Sequence, residues 1–133
     1  MKTEMATPKF HKFEDIIAWQ KAQDLAVIIY QLFGKCKDYE FKDEICKTSV
    51  SISSLIADGH GQKNQKEFLQ TLNTASGACS RLESLLHLAF KIQYLDEQTS
   101  NQVLQSCNDL SKILFGLKKS IKNKMQAQTE ETV

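Results

Sequence analysis

Residues 68–90 read FLQTLNTASGACSRLESLLHLAF, and this stretch decides the fold. Phe68, Leu72, Ala75, Cys79, Leu82, Leu86 and Ala89 follow one another at steps of three or four. Such steps hold side chains on one face of a helix with 3.6 residues per turn, whereas a strand would need alternation at every second residue. A row of this kind is the seam that bundles and coiled coils bury.

The same spacing recurs on either side. Upstream it links Ala18, Ala22, Leu25, Ile29 and Leu32, then Phe41, Ile45, Thr48, Ile52 and Leu55. Downstream it links Val103, Cys107, Leu110, Leu114, Leu117 and Ile121. Three short polar breaks separate the four blocks: GKCKDY (34–39), DGHGQK (58–63) and QYLDEQ (93–98). Gly34 suits the C-terminal cap of the first helix, and Gly59 and Gly61 are expected to end the second with positive φ. Asn64 followed by Glu67 reads as a capping box opening the third helix, and Asp96 as the cap of the fourth. Four amphipathic helices on short connections define an all-α, antiparallel up-down-up-down four-helix bundle. The bundle is expected over 13–124, between flexible polar tails at 1–12 and 125–133.

Bulk properties agree. The chain of 133 residues is long enough for one domain with a buried core. A single proline and five glycines leave too little turn chemistry for a fold of many short strands. The net charge of +1 creates no global field that would draw in nucleic acid. Cysteines at 36, 46, 79 and 107 show neither a C-x-x-C pair nor a zinc spacing with histidine. They read as reduced thiols of a cytoplasmic protein. No apolar run reaches the roughly 18 residues of a membrane span, and the opening MKTEMATPK is too polar for a signal sequence.

The stretch SVSISSLIADGHGQ (49–62) offers the most tempting chemistry. Ser51, Ser53 or Ser54 beside His60 could suggest a nucleophile and its base. No G-x-S-x-G turn presents such a serine, and helical serines mostly bond back to their own carbonyls. Asp58 and His60 are two ligands without a third, and Glu83 with His87 does not form the Glu-x-x-His pair of bundle di-metal sites. DGHG lacks the pattern of a phosphate loop. No catalytic, cofactor or metal residue is therefore assigned, and a non-enzymatic role is expected.

Two other features point to binding. Ile17, Val27, Ile28, Ile56, Leu85, Leu88 and Ile92 lie off the seams. What a broad core stripe does not absorb would form an apolar surface for a partner or a second copy; Ile17, Val27, Ile28, Leu85, Leu88 and Ile92 are the candidate oligomer interface. Lys112, Lys118, Lys119, Lys122 and Lys124 fall in the fourth helix, with no acid between Leu110 and Thr129. Cations near a helix C-terminus complement the dipole; the same lysines would also serve as a phosphate-contacting patch.

The opening FEDIIAWQKAQDLAVIIY, with Trp19-Gln20-Lys21-Ala22, resembles the start of the four-helix-bundle proteins encoded in intervening sequences of bacterial 23S ribosomal RNA genes. SISSLIADG (51–59) is similar to the Ser-Ile-Pro-Ser-Asn-Ile-Ala-Glu-Gly signature of that family. Lys66-Glu67-Phe68 and ASGACSRLE (75–83) match its third-helix pattern. Trp19, Ser51, Ser54, Ile56, Ala57, Gly59 and Glu83 keep the signature. Ser53 stands in place of the proline, Leu55 of the asparagine, Asp58 of the glutamate, Ala78 of a serine and Arg81 of the first glutamate of the third helix. Cys46 takes one position of a basic pair, leaving Lys47. The resemblance implies a non-enzymatic bundle that assembles into rings, typically pentamers. It also implies kinship with the accessory variability determinant of diversity-generating retroelements, which binds nucleic acid and a reverse transcriptase. Two roles are thus expected: an oligomer that contacts RNA or a nucleoprotein through the lysines of helix four, or a protein–protein scaffold with no nucleic-acid role.

Overall fold

The computed structural model of the chain describes residues 12–62 and 64–132, with side chains through 128. A short 3-10 turn, Phe13–Asp15, leads into α1 (Ile17–Phe33), α2 (Tyr39–His60), α3 (Gln65–Lys91) and α4 (Glu97–Thr132). No strand occurs among the described residues. Neighbours in the chain pack side by side, and α4 closes the ring against α1, while neither diagonal pair makes a close backbone approach. This is the expected four-helix arrangement. The expected tail at 1–12 falls, except for Lys12, outside the described residues. The one expected from 125 is corrected: α4 continues as helix to Thr132. Its 36 residues exceed the 27 of α3 by nine, about 13 Å of additional helix.

The seams form the core. Ala18, Ala22, Leu25 and Ile29 of α1, Ile45 and Ile52 of α2, and every seam residue of α3 are buried together. Val103, Cys107, Leu110, Leu114 and Ile121 add the fourth side. Leu32 is only partly buried, and the neighbouring Phe33 fills the core position at that end of α1. Ile56 corrects its off-seam assignment, being fully buried. Its burial follows from the small residues around it. Ser49, Ser53 and Gly59 are buried on the same side of α2, so the helix sinks deeper and its core stripe widens.

Serines inside a core would be costly if unpaired. Ser49 donates to the Cys46 carbonyl at 2.8 Å, Ser51 to Thr48 at 2.7 Å, and Ser54 to Val50 at 3.1 Å. Ser53 donates to Val50 and accepts from Gln23 Nε2 of α1 at 2.9 Å. They are backbone-bonded packing residues. No buried side-chain nitrogen or oxygen among the described residues lacks a partner.

Gly59 and Gly61 do not take positive φ. Gly61 caps α2 with φ −75°, its N–H bonded to Ala57 and Asp58 carbonyls. Gly59 lies within the helix, and a Cβ there would stand 2.8 Å from Phe68 Cδ1 and 3.1 Å from Thr71 Cβ. It is required for the close approach of α2 to α3, not for a turn. Gly34 occupies the C-cap of α1 in ordinary right-handed helical conformation.

The expected N-caps form. Glu67 N–H donates to Asn64 Oδ1 at 2.8 Å while Asn64 Nδ2 donates to Glu67 Oε1 at 2.9 Å. Thr99 N–H donates to Asp96 Oδ1 at 2.7 Å, which holds the Asp96 carboxyl below the usual range. Asp38 caps α2 by accepting from Phe41 N–H, and also accepts from the Tyr94 hydroxyl at 2.7 Å. These bonds, the Tyr94 one foremost, lower the Asp38 carboxyl and raise the Tyr94 phenol. Phe41 meets the rings of Phe33 and Tyr94, so the α1–α2 and α3–α4 connections are tied at one end of the bundle.

The single non-glycine residue with positive φ among those described is Gln93, at 66°. The N–H of Tyr94 reaches the Ala89 carbonyl and that of Gln93 the Phe90 carbonyl, the paired bonds of a Schellman ending. The left-handed residue there is normally glycine, because a Cβ crowds the backbone. Gln93→Gly is expected to stabilise the protein by about 0.5–1 kcal/mol in urea unfolding. A loss of stability would contradict this account of the α3 terminus.

Candidate functional site

An open groove of about 680 Å³ runs between α2 and α3, lined among others by Lys47, Ser51, Leu55, Gly77, Ala78 and Arg81. On α3 its floor belongs to a second row, off the core seam: Thr74, Ala78, Arg81, Leu85, Leu88 and Ile92, again at steps of three or four. Leu88 and Ile92 are exposed. Leu85, expected with them, is partly exposed and packs in part against the core. Gly77 has nothing within 4 Å of its would-be Cβ, so it keeps the groove open without serving any contact within the chain.

Three of the departures from the family signature, Leu55, Ala78 and Arg81, line this groove, as does Lys47 of the former basic pair. Arg81 reaches across to Glu44 of α2 through Nε, at 3.0 Å, and through a guanidinium contact to the same carboxylate oxygen. Both side chains are exposed, and an ion pair in solvent contributes about 0–1 kcal/mol. The groove thus has an apolar and small-residue floor with one charge bridge across it. Among the described residues, no three histidine, cysteine or acidic side chains gather as a metal would require.

The other candidate interface residues separate. Ile17, Val27 and Ile28 of α1 are exposed as expected, but they project from the far side of the bundle, since α1 borders α2 and α4 and not α3. Ile17 and Ile28, eleven residues apart, share one flank of the helix, and Val27 lies on another. The structure therefore splits the expected apolar surface in two. Of the signature residues, Ile56 and Gly59 are core, Ser51 lines the groove, and Ser54 and Glu83 are exposed. Trp19 is half-buried, edge-on to Phe13 at 5.2 Å between centroids.

Lys112, Lys119 and Lys122 share the outward side of α4, Lys118 stands between them and the core stripe, and Lys124 lies on the opposite flank. Lys112, Lys119, Lys122 and Lys124 are exposed and Lys118 is half-buried. The core side of this part of α4 is Leu110, Leu114 and Ile121. The sequence reading overlooked what stands among these lysines: Phe115, 66% exposed. Its signal was available, because it falls between the seam positions Leu114 and Leu117 and has Lys112, Lys118, Lys119 and Lys122 at three, three, four and seven residues.

The four cysteines are free thiols. Cys79 and Cys107 face each other across α3 and α4 with sulfurs 3.9 Å apart. That contact and burial push the Cys107 thiol up, so it packs as a protonated core group.

Comparison with known proteins agrees with the fold. The family model of the 23S rRNA-intervening sequence proteins matches residues 14–116, and the chain belongs to that family. The chain is also similar to the crystal structure of a protein of unknown function from the S23 ribosomal protein family of Bacteroides thetaiotaomicron VPI-5482. The TM-score is 0.72 at 20% identity, covering 77% of this chain and 99% of the other. No curated protein matches. No helix among the described residues is long and apolar enough to cross a membrane.

Proposed function

We propose that this protein is a non-enzymatic, oligomeric helical bundle that contacts RNA or a nucleoprotein through the outer face of α4. The observation that carries this reading is the grouping of four lysines, Lys112, Lys118, Lys119 and Lys122, on one side of α4, with Lys124 on the other flank and no acid from residue 110 to 128. A dipole role alone would need cations only in the last turn, yet Lys112 lies twenty residues before the end of α4. The small net charge of +1 is consistent with such a role, because the positive charge is local and not spread over the molecule. Self-association uses the α3 row Leu85, Leu88 and Ile92 beside the α2–α3 groove, which leaves the outer face of α4 free. A ring, with a pentamer favoured by the family resemblance, would repeat the lysine face around its circumference.

Replacing Lys118, Lys119 and Lys122 together with glutamine is expected to weaken RNA binding and flatten its salt dependence. The slope of log K against log salt should fall by about 2–3 for three lost phosphate contacts. Fluorescence anisotropy over a salt series measures it, and an unchanged slope would contradict the proposal. The second reading, a protein scaffold without RNA, is favoured by the apolar row on α3 and predicts no effect from these substitutions.

A further inference from the structure

We infer that the lysine face of α4 is built for single-stranded RNA, with Phe115 as the platform on which a base stacks. This rests on the reading of α4 proposed above and specifies its partner.

Phe115 has no task within the protomer. Its ring is exposed and takes no part in the core, while the adjacent Leu114 is fully buried. An exposed phenylalanine forfeits the gain of burial, about 2 kcal/mol for a ring of this size. Around it the helix places Lys112 one turn before and Lys118 and Lys119 one turn after, with Lys122 a turn further on. A shallow depression of about 460 Å³, bounded by Gly116, Lys119, Ser120, Asn123, Lys124 and Ala127, lies further round the helix and shares Lys119 with the Phe115 side. Gly116 has open space where a Cβ would stand, although glycine inside a helix costs about 1 kcal/mol relative to alanine. The face therefore combines an exposed aromatic ring with a cationic rim.

These parts select among charged polymers. Lysines alone fit any phosphate backbone, duplex or single-stranded. A ring adds affinity only where a base offers its face, and in a duplex those faces are hidden in the stack. The A-form major groove is, moreover, too deep and narrow for side chains to read. Single-strand binding surfaces pair a basic track with aromatic rings, each stacked base contributing strongly and with little sequence preference. Lys112 to Lys122 spans about 15 Å of helix, so backbone contacts can flank the stacked base on both sides.

The test uses the full chain with a short labelled single-stranded RNA, and with the same RNA annealed to its complement. Phe115→Ala should bind the single strand about 5- to 150-fold more weakly, with its salt slope and its duplex affinity unchanged. Phe115→Trp should restore single-strand binding. Because Phe115 is exposed, circular dichroism should show both variants folded. Equal single-strand affinity of wild type and Phe115→Ala overturns this inference and leaves the lysine reading standing. A wild type that binds neither RNA overturns both. A basic face with an exposed ring would also suit an anionic lipid surface. Co-sedimentation with phosphatidylserine vesicles that Phe115→Ala abolishes, alongside RNA affinity that it leaves intact, assigns the surface to lipid and overturns the inference.

Discussion

Gly59→Val is expected to destabilise the bundle by about 2–3 kcal/mol, the scale of overpacking in a close-packed interior. The first atom of any side chain at this position would meet the Phe68 ring at 2.8 Å and Thr71 Cβ at 3.1 Å. Phe68 cannot simply swing away, because it is buried beside His60 at the α2–α3 turn. Gly59→Ala should cost less, since alanine recovers about 1 kcal/mol of helix propensity. If the cause is this contact, Phe68→Leu should relieve part of the loss, giving a coupling of about 0.5–3 kcal/mol in a double-mutant cycle. Urea unfolding measures all four proteins of the cycle. Equal stability of Gly59→Val and wild type would refute the close approach of α2 and α3 at this end.

Leu88→Glu is expected to disperse the assembly while leaving the protomer folded. Leu88 is 45% exposed in the isolated bundle, so a charge there costs the protomer little. In an interface the same carboxylate would be buried without a partner, at a cost of several kcal/mol for each copy. Light scattering should then report 15.1 kDa, the mass of a single chain, with a thermal midpoint close to that of the bundle alone. An oligomer of unchanged mass would remove the α3 row from the interface. The counterpart Val27→Glu, on the far side of the bundle, separates the two apolar surfaces. If the α3 row is the interface, this variant keeps the wild-type mass.

Much of the fold was legible because bundle seams write themselves at steps of three and four. All seven α3 positions from Phe68 to Ala89 are buried, and the caps at Asn64 and Asp96 form with the expected amides. What escaped the reading has physical causes. Ile56 looked surplus because Ser49, Ser53 and Gly59 carry no hydrophobic signal, yet their small size lets α2 sink until Ile56 is core. Gly59 looked like a stop signal because glycine marks both turns and close contacts, and only the third dimension separates the two. Residues from Met125 onward looked like a tail because they are polar, but methionine, glutamine, alanine and glutamate all sustain helix.

The site was legible in part. The lysines fall within α4, with Lys112, Lys119, Lys122 and Lys124 exposed and Lys118 half-buried. Phe115 was missed because attention to charge passed over a lone apolar residue off the seam. The α2–α3 groove was beyond a reading of single helices, since Leu55 and Arg81 come to line one groove only when two helices are packed. Those two departures border one groove, with Glu44 bridging to Arg81, whereas two others, Cys46 and Ser53, are buried in the bundle.

Size-exclusion chromatography with light scattering, on lysates with and without nuclease treatment, tests the central claim most directly. The account predicts a discrete multiple of 15.1 kDa whose absorbance at 260 nm falls when nuclease is added. A monomer of unchanged spectrum would contradict both the assembly through α3 and the RNA surface on α4.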